Sequence, residues 1–170
     1  MSRVALVFLS LFWAASARAE NTAAQIGEAV SLFESKCPFI RDHFEKADEE
    51  FRQGSWQPAG NWGSTALGRY GGWRNKEDTI TVSFQNYRFV DSYFWQCRVS
   101  VLAPDLDVDP LAFVKNEEVI DGAVEPSSGG GFTGMWKVKG DLFTSVNALY
   151  DGKVLSLVKM AISDQNRKVE

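Results

Sequence analysis

Between Ala23 and Phe51 the apolar residues fall at Ile26, Val30, Phe33, Cys37, Ile40, Phe44, Ala47 and Phe51, in steps that alternate four and three. A helix repeats every ~3.6 residues, so this spacing draws one stripe down one side of a helix. The opposite side carries Glu28, Glu34, Lys36, Arg41, Asp42, Glu45, Lys46, Asp48, Glu49 and Arg52. Such a helix has one apolar face to bury, and the rest of the chain must supply the surface that receives it. Pro38 lies inside the stripe, where it removes a backbone donor and crowds the preceding turn. Two arrangements follow: one long helix bent at Cys37–Pro38, or two helices with Pro38 opening the second. The stripe keeps its phase across Pro38, which favours the bent helix, and Gly54 is its natural stop.

One of only two cysteines, Cys37, sits in that stripe, and the other is Cys97. The N-terminus says which compartment they meet. Arg3, an apolar run from Val4 to Ala15 and the small-x-small pattern Ala17-Arg18-Ala19 read as a signal peptide over residues 1–19. The run is too short for a comfortable membrane span, and no later stretch is long and apolar enough to be one. Cleavage would leave a single domain at 20–170, the size of one core. Arg3 and Arg18 would leave with the peptide, taking the formal charge from −4 to −6. An acidic domain without a basic run has little to neutralise phosphates, so neither nucleic acid nor anionic lipid is expected as a partner. A periplasmic or secreted location favours a Cys37–Cys97 disulfide, and two cysteines with one histidine do not make a structural zinc site.

After Gly54 the helical period is lost. Residues 54–78 hold Trp56, Trp62 and Trp73 among glycines, with a short strand expected near Ala66 to Trp73. Thr79 to Gln85 and Tyr93 to Leu102 alternate apolar and polar residues, as half-buried strands do. The second of these points Cys97 to the same side as Val99 and Val101. Asp109-Pro110 opens a short helix expected to reach about Ile120, and Glu125 to Gly131 reads as a turn-rich break. Gly140-Asp141 and Asp151-Gly152 then mark two hairpins in a three-stranded meander. Two-residue turns at both would set Trp136 opposite Ser145 and Phe143 opposite Met160. Phe132, Trp136, Val138, Phe143, Leu149, Val154, Val158, Met160 and Ile162 would then share the face that receives the helix. Val146, Ala148, Leu155 and Leu157 would lie on the other face, either under the short helix or as a homo-oligomer contact.

The order α-β-β-α-β-β-β, with hairpin connections, predicts an α+β domain with a long N-terminal helix on an antiparallel sheet of about five strands. Cystatin-like, NTF2-like and profilin-like arrangements are compatible with that order.

Catalytic and cofactor motifs are scarce. Asp105-x-Asp107-x-Asp109 resembles the start of a calcium loop, but Pro110 and Asn116 occupy the positions that need Gly and an acid. His43 is the only histidine, and no nucleophile elbow accompanies it. Ser127-Ser128-Gly129-Gly130-Gly131 lacks the following helix of a phosphate loop. No pair of carboxylates stands out for glycoside hydrolysis. No metal, cofactor or catalytic residue is therefore expected. The most informative stretch is the loop that carries Trp56, Trp62, Arg69, Tyr70, Trp73 and Arg74. Aromatic faces beside guanidinium donors suit a protein, peptide or glycan ligand. The same rings could instead fold back over the end of the sheet, since tryptophan is costly to leave in water. The expected function is an exported, non-catalytic binding domain that uses this 54–75 loop. A hydrolase acting on envelope material and a self-associating envelope module are the alternatives.

Overall fold

The computed structural model describes residues 3–104, 106–128, 130–140 and 143–164, with side chains from Thr22 onward. The helical stripe forms as two helices, α1 (Arg3–Asp42) and α2 (Phe44–Gln53). Pro38 is inside α1, and the break falls at His43, whose backbone (φ −137°, ψ 52°) leaves the helical region. The expected bend at Cys37–Pro38 is thus replaced by an interruption five residues later. Across the interruption His43 N–H still donates to the Phe39 carbonyl (2.8 Å) and Ala47 N–H to that of His43 (2.9 Å). The stripe stays in phase: Phe33, Cys37, Ile40, Ala47 and Phe51 are buried, with Ile26, Val30 and Phe44 packed at the margin.

The receiving surface is one antiparallel sheet of nine strands among the described residues, where about five were expected. They are β1 (Gln57–Pro58), β2 (Gly63–Thr65), β3 (Gly68–Arg74), β4 (Ile80–Arg88), β5 (Ser92–Leu102), β6 (Val119–Ser127), β7 (Gly131–Val138), β8 (Phe143–Tyr150) and β9 (Val154–Asp164). Their spatial order is β1-β3-β4-β5-β9-β8-β7-β6, with β2 also on β3. The C-terminal strand therefore closes against β5, from Leu102↔Val154 to Ser92↔Asp164, and joins the two halves of the chain. The extra strands come from two stretches. The 54–78 segment contributes β1 and β2 beside β3. The helix at Pro110 is a 3-10 turn that ends at Val114, capped by Asp109 accepting from Leu111 N–H (3.0 Å), and the chain then forms edge strand β6.

The meander differs from expectation by its register. Trp136 pairs with Val146, not with Ser145, because the β7–β8 connection is one residue longer than a two-residue turn. A slip of one residue turns every side chain of a strand to the other face. Phe143 pairs with Ile162 in place of Met160, a slip of two that leaves the β8–β9 faces unchanged. Asp141, half of the first hairpin signal, lies outside the described residues. At the second, Asp151 accepts from Lys153 N–H (2.9 Å) and Val154 N–H (2.8 Å), and Gly152 takes φ 93°.

Val146, Ala148, Leu155 and Leu157 consequently lie with Trp136 and Val138 in the core, fully buried, and offer no surface for a subunit contact. They continue a single apolar face through Val99, Val101, Val82 and Ile80 to Trp73. Helix α1 packs over β5 on this face, and the Cys37–Cys97 disulfide (Cα–Cα 5.5 Å) ties helix to strand in its middle. Beyond α1, Lys159 pairs with Glu117 (2.5 Å), and Tyr150 donates to the Ala103 carbonyl (3.0 Å). A disulfide closed in the core suits an oxidising, extracellular compartment. No helix among the described residues is long and apolar enough to cross a membrane.

Candidate functional site

The tryptophan loop folds back on the α2 end of the sheet. Trp73 is 0 % exposed. Its ring stacks on Phe51 (4.5 Å between centroids) and Phe84 (5.6 Å), and Trp62 meets it edge-on at 5.1 Å. Its indole N–H donates to Asp48 Oδ1 on α2 (2.9 Å). Trp56 closes the cluster against Phe51 at 5.0 Å. Gly71 is the residue that admits Trp62, since a Cβ there would stand 2.7 Å from the indole. These rings stabilise the α2–β3–β4 corner by removing apolar area from water, with Trp73 buried and Trp56 and Trp62 half-buried.

The other expected site residues separate. Successive strand residues point to opposite faces. Arg69 therefore lies with Gly71 and Trp73 on the helix side, while Tyr70 and Arg74 turn to the other. Arg74 pairs with Asp78 (3.6 Å) at the far end of β3. Arg69 pairs with Glu45 of α2, and its guanidinium stands 5.6 Å from the Phe44 ring centre.

Arg69 faces an open groove of about 480 Å³. The interruption at His43 forms one wall, through Arg41, Asp42, Phe44 and Glu45. The β2–β3 turn, Ser64 to Gly68, forms another, and Asn86, Arg88 and Tyr93 of the β4–β5 hairpin complete it. A second open depression of about 420 Å³ shares Ala66, Leu67 and Arg88 with the groove and continues it to Phe89 and Val90. Local chemistry sets the shape. The Thr65 hydroxyl accepts from Leu67 N–H and Gly68 N–H, both at 3.2 Å, and folds the turn. Arg88 N–H donates to the Leu67 carbonyl (2.6 Å), which ties the two hairpin tips together. Those tips expose Leu67 (63 %), Phe89 (55 %) and Val90 (91 %).

The groove carries three arginines against two carboxylates. Arg41 is held by Asp42 through two bonds of 2.6 and 2.7 Å. The hydrogen bond from Arg69 holds the Glu45 carboxyl below the usual range. Among the described residues Arg88 makes no ion pair. Burial, and then the nearby Asp42 charge, push the Tyr93 phenol up, so it stays a neutral hydrogen-bond donor. Asp42 and Glu45 are two carboxylates on one groove, but a general acid needs a raised pKa, and Glu45 is shifted the other way. His43 is exposed at the break with its ring 5.2 Å from Phe39. Among the described residues no cluster of three His, Cys, Asp or Glu could hold a metal.

Arg41, Asn86, Arg88 and Tyr93 escape a reading by sequence because they come from three separate elements. The one local signal is Phe89-Val90, two apolar residues where a hairpin tip calls for turn formers. Comparison with protein-family models, with curated proteins and with solved structures finds no match, so the groove has only its own geometry to speak for it.

Proposed function

We propose that this chain is an exported, non-catalytic domain that binds a ligand or protein partner through the tip of its 54–75 loop. The observation that carries this reading is the groove where Arg69, Arg88, Asn86 and Tyr93 converge beside exposed Leu67, Phe89 and Val90. Open concave sites with a few convergent polar groups and an apolar rim are ordinary places for ligands. Buried Trp73 and half-buried Trp56 and Trp62 supply the wall on which this loop is mounted, and Arg69 is the one residue of the expected set that faces the groove. Export is supported by the signal-like N-terminus and by the core disulfide.

The test is an NMR titration of isotope-labelled protein against free amino acids, dipeptides and cell-wall sugars in turn. Shifts concentrated at Ser64 to Arg69, Arg88 and Tyr93 are the expected result. Shifts confined to the uncovered face of the sheet, or none with any class, would overturn the assignment.

A further inference from the structure

Resting on that reading of the groove, we infer that its ligand is a peptide segment presenting one carboxylate beside a large apolar side chain. The charge count points to a single anion. Asp42 and Glu45 occupy two of the three guanidinium groups, and Arg88 is left without an ion pair among the described residues. A guanidinium binds a carboxylate through two parallel hydrogen bonds, a geometry that fixes orientation as well as charge. Asn86 lines the groove with Arg88 and adds an amide donor there. A dense anionic surface such as a lipid headgroup layer would meet Asp42 and Glu45 as well, and like charges oppose it.

The apolar partner follows from the tips. Leu67, Phe89 and Val90 stand exposed on the same depression as Arg88. A hydrocarbon side chain placed there would cover them while its neighbouring carboxylate meets Arg88. The depression is open rather than tunnel-like, and Ser64 and Thr65 border the groove. That lining suits a peptide backbone with its own polar groups better than a bare acyl chain.

Fluorescence polarisation of a labelled hexapeptide Gly-Ser-Glu-Phe-Leu-Gly tests this, with a counterpart carrying Gln for Glu and, by co-sedimentation, phosphatidylglycerol vesicles. The expected result is saturable binding of the Glu peptide, weakened by salt. It should weaken about tenfold for the Gln peptide and about tenfold for Arg88→Gln. A double change of Phe89 and Val90 to Ser should also weaken it. All these positions are exposed, so melting temperatures should stay near wild type and report folding separately. Equal affinity for the Gln peptide would overturn carboxylate recognition. Vesicle binding that depends on Arg88, without peptide binding, would overturn the peptide and leave the groove standing. Absence of binding to either probe, or binding indifferent to Arg88→Gln, would overturn the carboxylate-bearing peptide, while the groove itself stands or falls on the titration with amino acids, dipeptides and sugars.

Discussion

Trp73 both stacks on Phe51 and Phe84 and donates a hydrogen bond to Asp48, and two substitutions remove these interactions to different extents. Trp73→Phe keeps one ring but loses the donor together with part of the buried indole, for an expected loss of about 2–3 kcal/mol. Trp73→Ala also empties a buried site and should cost about 3–5 kcal/mol. Denaturant unfolding measures both, and equal losses would contradict a contribution from the ring that Trp73→Phe retains. Two groove residues make the molecule sensitive to pH. Glu45 is held ionised by Arg69, so as pH falls the unfolded chain takes up this proton first. The contribution is present above the ordinary carboxylate range and is lost as pH falls through the lowered folded value. Glu45 is largely exposed, so the effect on stability is small and the titration itself is the better readout. Arg69→Gln should move the Glu45 midpoint up toward the ordinary value in an NMR titration, and an unmoved midpoint would show that Arg69 is not the cause. Tyr93 has the opposite sense. Burial raises its pKa, so its contribution is intact below the ordinary tyrosine value and is lost as pH rises toward the folded one. Tyr93→Phe should accordingly flatten the alkaline limb of the stability profile.

At the scale of elements, strand β8 gives the sharpest test of the fold. Val146 is fully buried on the helix side and Leu149 is exposed on the other, although the two-residue turn reading puts them the other way round. Val146→Asp should unfold the protein, whereas Leu149→Asp should change stability by less than about 1 kcal/mol. Circular dichroism melts decide it, and the reverse order would restore the shorter turn. The disulfide joins α1 to β5 across 60 residues, and replacing both cysteines with alanine should cost roughly 4 kcal/mol by chain entropy. Elements with a strong period were legible in advance. The stripe of α1 and α2, the alternation of β4 and β5 and the inward direction of both cysteines are all patterns of one residue against its near neighbours. What was not legible depends on distant partners. Strand β6 reads as polar and interrupted, with Asp121, Gly122 and Pro126, because as an edge strand it is exposed almost throughout. The β7–β8 register depended on the length of a turn, which two residues such as Gly140-Asp141 do not fix. The interruption at His43 turns Phe44 onto Phe84 at 4.5 Å, a tertiary contact that no local signal announces.

For the molecule as a whole, the sheet closes through β9 on β5 and both helices cover the same face, so the chain has one core that runs from Trp136 to Trp73. The aromatic loop belongs to that core. The groove begins where the core ends, at the two tied hairpin tips beside the helix break. Its residues were individually visible in the sequence, but their meeting was not, since Arg41, Arg69 and Arg88 are distant along the chain. A chain of net charge −4 without a basic run can still gather three arginines at one end. The proposed division of labour is between tryptophans that hold the fold and a tip arginine, Arg88, that meets the ligand. The most direct measurement is the peptide dissociation constant and the unfolding free energy of Trp73→Phe and Arg88→Gln, side by side with wild type. Trp73→Phe should lose stability while its folded fraction binds with unchanged affinity, and Arg88→Gln should keep its stability and lose affinity. A Trp73→Phe variant as stable as wild type that no longer binds, or an Arg88→Gln variant that binds normally, would contradict it.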